Sequence, residues 1–302
     1  MMSAAADEVD EMCASCGIPA GDDIKLKNCT ACYLVKYCSI KCQKEHRSQH
    51  KRACKKRAAE LRDELLFKQP EGTYLGDCPI CFIPIPLDPE KSSRRPCCCK
   101  VICDGCIYAN HKRELEELHV KKECPFCRTP LPKDNAELDR MVKRRIKAND
   151  PFALRKLASD YYEEGDYGSA FEYFTKAAKV GDVQAHQQLG HMYVEGKGVE
   201  ADMKKAIYHW EEAAIGGHPN ARSNIGIIER RHGRLKRAVK HYIIAANQGL
   251  DIAVEQLKMC YVKKMVSKDE FEEALRAYQR AVDATKSPQR EAAEQELEVF
   301  KA

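Results

Sequence analysis

The chain has 302 residues, 44% of them hydrophobic and 32% charged, with a formal net charge of +5. That length has room for about two globular domains, and the near-balanced charge gives no strong signal for nucleic acid. No run approaches the roughly 20 apolar residues of a membrane helix and no basic, apolar leader opens the chain, so the expectation is an intracellular protein, cytoplasmic or nuclear, with no membrane partner.

Residues 1–12 read as an acidic, flexible N-terminus carrying Asp7, Glu8, Asp10 and Glu11. Sixteen of the seventeen cysteines precede residue 128, and Cys260 is the exception. Without a secretion signal, cysteines paired two residues apart favour metal over disulfides. Residues 13–54 form a first module spaced C-x2-C-x12-C-x2-C-x5-C-x3-C-x7-H-x3-C, whose ligands are Cys13, Cys16, Cys29, Cys32, Cys38, Cys42, His50 and Cys54. Eight such ligands serve two tetrahedral zinc ions. A two-residue gap lets one tight turn present both sulfurs to one ion. The three-residue gaps of Cys38–Cys42 and His50–Cys54 suit i,i+4 neighbours on a helix face. His46 reads as a surface histidine, since the octet is complete without it. The basic run Lys51, Arg52, Lys55, Lys56 and Arg57 reads as a solvated helix end, with nuclear import or nucleic-acid contact as the alternative.

Residues 55–76 read as a helical linker. Ala58, Leu61, Leu65 and Leu66 fall at helical spacing, and Pro70, Gly72 and Gly76 then interrupt the pattern. Residues 77–132 form a second module containing "CPIC", "CCCKVICDGC" and "CPFCR". Cys78, Cys81, Cys103, Cys106, Cys124 and Cys127 are ligands by their pairing, and two of Cys97, Cys98 and Cys99 must complete the octet. The expected cofactor is Zn2+, about four ions per chain at four ligands each. Neither module is large enough to fold on an apolar core alone. Structural zinc supplies on the order of 10–16 kcal/mol of binding free energy per site. Every site is saturated by protein ligands, so none offers the open position that a catalytic zinc keeps.

Residues 133–150 read as a basic helical linker with Arg140, Lys143, Arg144, Arg145 and Lys147, either a solvated face or a contact for nucleic acid or importin. Residues 151–286 repeat. Ala153, Ala185, Ala221 and Ala253 recur at offsets of 32, 36 and 32, and Leu157, Leu189, Ile225 and Leu257 keep step with them. Ala178, Ala214, Ala246 and Val282 form a second register, and Gly181, Gly217 and Gly249 follow its first three members by three residues. Each unit predicts helix, turn, helix, turn, and units that cannot bury their faces alone must stack. Residues 287–302 read as a helical tail. The fold class is therefore mostly α: two small zinc-stabilised α+β modules followed by an α-solenoid of about four helix-turn-helix repeats. No phosphate-binding loop occurs, Cys260 reads as core, and His186, His191, His209, His218, His232 and His241 read as surface or packing residues.

The segment 13–54, with "YC" at 37–38 and "CQKEH" at 42–46, resembles a MYND-type zinc finger. The resemblance implies interleaved sites, Cys13, Cys16, Cys38 and Cys42 on one ion and Cys29, Cys32, His50 and Cys54 on the other. It also implies binding of short proline-containing peptides through Gln43 and a tryptophan near position 47, where this chain has Arg47. The second module resembles a RING-type finger in an all-cysteine variant, with Lys100 where the usual histidine stands. That resemblance implies Cys78, Cys81, Cys103 and Cys106 on one ion, and the central pair with Cys124 and Cys127 on the other. The favoured central pair is Cys97 and Cys98, because family knuckles often place glycine where Cys99 stands. It further implies a partner, a ubiquitin-conjugating enzyme, contacted by Ile80 and Pro125 and bridged to ubiquitin by Arg128. Asn110 replaces the family's frequent tryptophan. The run "YVEGKGVEADMKKAIYHWEEAAIGGHPNA" resembles a Sel1-like repeat of the tetratricopeptide type, which implies a protein-binding scaffold. The whole order resembles proteins of unicellular algae that carry MYND, RING and Sel1-like segments in succession. The implied function is a ubiquitin ligase whose repeats and first finger hold the substrate, without covalent catalysis by the chain. The alternatives are a non-enzymatic interaction scaffold and a MYND-type transcriptional cofactor.

Overall fold

The computed structural model describes residues 12–116 and 123–301. The chain divides into two compact units, one through Lys68 and one from Gln69 onward. The expected acidic N-terminus lies outside the described residues except for Met12.

In the first unit, strand β1 (Lys27–Asn28) pairs antiparallel with β2 (Lys36–Tyr37), Lys27 facing Tyr37. Helix α1 (Ile40–Glu45) starts at Ser39, whose hydroxyl accepts the Cys42 N–H at 3.2 Å and so satisfies one of the free donors of the first turn. Helix α2 (Arg47–Leu66) then runs unbroken for 20 residues. The sequence places a new helix at Lys55. Instead the helix that carries His50 and Cys54 continues into the linker. Only His50–Cys54 is an i,i+4 pair within one helix, because Cys38 lies before the Ser39 cap. The small core consists of the ligands themselves with Tyr37, Leu26 and Val35.

The second unit opens with an irregular segment, then strands β3 (Ser92–Arg94) and β4 (Val101–Cys103), paired antiparallel with Ser92 facing Cys103. Helix α3 (Asp104–Glu116) follows directly, and Ile85 and Ile102 pack among the cysteines. Helix α4 (Asn135–Lys147), capped by Asp134, runs through the segment expected to be a basic helical linker.

Eight helices then form four pairs: α5 (Pro151–Glu163) with α6 (Tyr167–Lys179), α7 (Val183–Glu195) with α8 (Met203–Ile215), α9 (Pro219–Arg231) with α10 (Leu235–Ala246), and α11 (Asp251–Val262) with α12 (Lys268–Asp283). The starts are written in the sequence. Asp150, Asp166, Asp182 and Asp202 each accept a first-turn N–H through the side chain, and Ser267 with Glu270 forms a reciprocal capping box.

The alanine–glycine register has a local cause. After α6, the N–H of Gly181 bonds the Ala178 carbonyl and the N–H of Asp182 bonds that of Ala177. The same pair of bonds recurs at Gly217 and His218, and at Gly249 and Leu250. This is the left-handed helix stop that satisfies the last carbonyls, and it needs positive φ, here +92°, +86° and +84°. The alanines at 153, 185, 221 and 253 are all buried where helices meet. The final helix, α13 (Pro288–Lys301), is not a free tail: it packs along α3 of the second module. Among the described residues no helix is long and apolar enough to cross a membrane.

Candidate metal centres

Four tight groups of ligand atoms are present, each with all four atoms within 4.8 Å of one another. Cys13, Cys16, Cys38 and Cys42 form the first, and Cys29, Cys32, His50 and Cys54 the second. The second module holds Cys78, Cys81, Cys103 and Cys106 in one group, and Cys97, Cys98, Cys124 and Cys127 in the other. Both modules are therefore cross-braced, the two groups of each taking alternate ligand pairs along the sequence.

The spacings suit zinc. Four sulfurs at 2.3 Å from a central ion define a tetrahedron with edges of about 3.8 Å. Here Cys16–Cys38 is 3.6 Å, Cys29–Cys54 3.8 Å, Cys81–Cys103 3.7 Å and Cys98–Cys124 3.9 Å between sulfurs. His50 Nε2 lies 3.2 Å from the Cys32 sulfur. No cysteine is in a disulfide.

Tight turns produce this geometry. The N–H of Gly17 bonds the Cys13 carbonyl, and Tyr33, Phe82 and Arg128 do the same to Cys29, Cys78 and Cys124 at 2.8–2.9 Å. In each turn the residue after the second cysteine has φ between +57° and +73°. These turns aim backbone N–H groups at the sulfur. Burial pushes the Cys13 thiol up, but N–H groups of Cys16, Cys38 and Ser15 bring it down to about 6. Against the same opposing burial, Cys29 falls to about 6, Cys78 to about 7, and Cys127, through the Thr129 hydroxyl, to about 6. Each group thus has one thiol drawn toward the thiolate form. Further ionisation is resisted: hydrogen bonding to Cys42 drives Cys38 up to about 12 in the first group, and burial drives Cys54 up to about 11 in the second. A divalent cation relieves that conflict, because a metal-bound thiol is deprotonated outright.

The cluster of three cysteines resolves in the same terms. Arg95 occupies the first position of a fifth turn, Cys99 donates to its carbonyl at 2.8 Å, and Cys98 fills the second ligand position. Cys99 therefore sits at φ +57°, where glycine is the comfortable residue. It lies outside the ligand group, its thiol pushed up to about 11 by burial and by Asp150.

His46 is not in a ligand group. It is half-buried, stacked on His50 at 5.8 Å between centroids, with Nδ1 3.1 Å from the Tyr37 hydroxyl. It braces the ligand ring, a role its position four residues before His50 signals only once the helix is known. Arg47 is exposed and Gln43 half-buried. On the second module Ile80 and Arg128 are exposed and Pro125 half-buried, and Arg128 donates to Asn110 Oδ1 at 3.1 Å.

Three arginines that the spacing of ligands does not single out hold the second module to its surroundings. Arg145 donates to the Cys97 carbonyl, and Arg94 donates to the Cys99 carbonyl at 2.7 Å with its guanidinium 4.3 Å over the Phe152 ring. Arg290 of α13 donates to the carbonyls of Pro84 at 2.7 Å and Ile83 at 3.0 Å and lies 3.5 Å from the Cys81 sulfur. Gly105 admits this approach, since a Cβ there would stand 2.8 Å from Arg290 Cγ. Among the scattered histidines, His218 and His241 are buried, and His186 and His209 face each other with Nδ1 atoms 3.0 Å apart. Cys260 is core.

Residues 13–54 match the MYND finger family. Residues 151–182, 183–218 and 235–250 match the Sel1 repeat, and the first two ranges coincide with the first two helix pairs. The chain is 26% identical over 175 residues to mouse (Mus musculus) DAP3-binding cell death enhancer 1, covering 45% of this chain and 34% of that protein. It is 30% identical over 105 residues to chitin synthase regulatory factor 4 of Schizosaccharomyces pombe, covering 32% of this chain and 17% of that one. The chain thus spans about a third or less of the length of these relatives. Among solved structures, a Sel1 repeat protein from Oxalobacter formigenes is 27% identical with a TM-score of 0.43, over 51% of this chain and 66% of that one. The Escherichia coli antigen c5321, of the SLR fold, is 20% identical with a TM-score of 0.38, over 63% and 41%.

Proposed function

We propose that the chain is a zinc-stabilised protein-interaction scaffold, in which four structural zinc ions hold two small modules and the repeats take protein partners. The observation that carries this reading is the completeness of the four ligand groups. Each supplies four protein ligands at tetrahedral spacing, which leaves no coordination position for a substrate or an activated water. Stacked helix pairs present long surfaces of exposed side chains, the usual substrate of protein–protein contact in solenoids. The reading is tested by cross-linking mass spectrometry on complexes captured with the intact chain. Partner cross-links should concentrate on the repeats and the first finger. A chain recovered free of partners, or cross-linked only outside these parts, would count against it.

A second reading, a RING-type ubiquitin ligase, draws support from one observation. Ile80 and Phe126 are 37% and 42% exposed on the cross-braced module, which also carries the exposed Arg128 bonded to Asn110. Helix α13 contacts Gly105, Ile83, Pro84 and the Cys81 sulfur through Arg290, and Ile80 and Phe126 keep this exposure with α13 in place. In this reading Ile80 and Pro125 hold a ubiquitin-conjugating enzyme, and the planar fork of Arg128 bridges two carbonyl groups. A ubiquitin-transfer assay with a panel of conjugating enzymes separates the two readings. Chains that vanish with Ile80→Ala and Arg128→Ala support the ligase. No chains with any enzyme leaves the scaffold alone.

A further inference from the structure

Residues 69–76 run without regular secondary structure across the turns that join successive helix pairs. Their contacts are those a bound peptide makes. The Tyr74 N–H donates to the Gly217 carbonyl at 3.1 Å. The Gln248 side-chain amide donates to the Gly72 carbonyl at 3.0 Å and to the Gly217 carbonyl at 3.0 Å, so one side chain ties the strap to two consecutive turns. Asn247 donates to the Gln69 side chain at 3.1 Å. The Tyr74 ring stacks on His218, with centroids 4.3 Å apart and 9° between planes. A Cβ at Gly217 would stand 3.1 Å from the Gly72 carbonyl and 3.3 Å from the Tyr74 nitrogen, so the glycine that stops α8 also admits the strap.

The receiving side chains are buried and polar: Gln248 is 7% and His218 3% exposed. His218 is fixed for stacking, because its Nδ1 caps α9 by accepting the Ala221 N–H at 3.4 Å. Gln248 Oε1 and Asn247 Oδ1 are buried acceptors with no hydrogen-bond donor among the described residues. Buried acceptors of this kind are rare and call for a partner. Beside the strap the groove continues as a cavity of about 890 Å³, lined among others by Pro70, Leu87, Leu250, Ile252 and Tyr278. That volume falls within the range of small-ligand and side-chain pockets. The strap itself supplies main-chain groups and one ring, while its flanking cavity and two acceptors stay unused.

We propose that this edge of the solenoid is a peptide-recognition groove held closed by residues 69–76, and that its partner is an extended peptide with an aromatic residue two positions after a glycine. The inference rests on the scaffold reading and names the chemistry of the partner. The incoming ring takes the place of Tyr74 on His218, and a carbonyl takes that of Gly72 on Gln248 Nε2. Donors on the flanking residues meet Gln248 Oε1 and Asn247 Oδ1, and apolar flanks fill the cavity. A tethered strap acts at an effective concentration on the order of millimolar, so partner binding requires its displacement.

The test uses the full chain and a fluorescein-labelled peptide of the strap sequence, QPEGTYLG, in fluorescence polarisation. The peptide should bind the Tyr74→Ala protein at least ten-fold more tightly than wild type. The gain should disappear when Gln248→Ala is added, and a peptide with alanine for tyrosine should bind neither protein. Independently of any substitution, saturating peptide should speed amide hydrogen exchange at Tyr74 in the wild-type protein, with α5 and α6 unchanged. Equal affinity for both proteins together with unchanged exchange at Tyr74 overturns the proposal. So does peptide that converts a dimer of the chain to monomer, which would assign the groove to the strap of a second copy. Either outcome, obtained while captured partners still cross-link to the repeats, removes the groove and leaves the scaffold reading in place.

Discussion

Gly190→Ala places a methyl group where α7 meets the Trp210 indole of α8. A Cβ at Gly190 would stand 2.3 Å from Trp210 Nε1 and 2.4 Å from Cδ1. Ordinary contact between heavy atoms needs about 3.5 Å, so the indole or the two helices must separate by roughly 1 Å. Trp210 has little freedom to move: it is 5% exposed and held edge-on against His191. Overpacking costs about 1–3 kcal/mol, and an overlap of this size belongs at the upper end. Replacing a mid-helix glycine by alanine returns about 0.5–1 kcal/mol. The net expectation is a loss of about 2 kcal/mol, or about 4–8 °C in Tm for a unit of this size. Trp210 is the sole tryptophan of the chain, so its emission reports the site directly while far-UV circular dichroism follows the helices. In a double-mutant cycle, Trp210→Phe should remove most of the penalty of Gly190→Ala. An unchanged or raised midpoint in the single variant would refute the claim that a missing side chain sets this helix distance.

Metal analysis should find about four zinc ions per chain; Cys98→Ser should lower this to about three, while Cys99→Ser should leave it unchanged. Arg290→Ala should speed hydrogen exchange in α13 and along α3, with α5–α10 unaffected; equal protection in both proteins would mean that the three polar contacts of Arg290 do not hold the helix. Burial holds His218 and His209 down at about 4 and His241 at about 3, against 6.5 for a free histidine. The unfolded chain takes up these protons below about pH 6.5 while the folded one resists, so repeat stability should be complete above 6.5 and fall as pH drops toward 4. Urea midpoints followed by Trp210 emission test this, and His218→Asn, which keeps a helix cap, should flatten the slope.

The parts of this molecule legible in sequence are those in which one local rule repeats. Paired cysteines announce turns, and alanine followed three residues later by glycine announces a helix stop. Choosing two cysteines from Cys97, Cys98 and Cys99 by residue pattern alone rests on an analogy with glycine. The positive φ at Cys99 supplies its physical cause. The continuity of finger and linker is not legible, because the helix that holds His50 and Cys54 needs no signal to continue past Cys54. Long-range anchors were not legible either. Arg94, Arg145, Arg290 and Tyr74 each anchor one segment to another through a few contacts of one residue, and a solitary residue carries no periodicity. The tail is the plainest case: residues 287–302 read as a helix, but nothing in them signals that it lies on α3.

Arg290 reaches back across 209 positions to the Cys81 sulfur. During synthesis at about 5–20 residues per second, that interval lasts on the order of 10–40 s. For all that time the second module emerges from the ribosome with its cysteines in place and the surface later covered by α13 open to water. The repeats that follow can stack one after another as they appear. The module between them and the first finger must wait, so zinc has to secure the early part of the chain before the last helix arrives to close it.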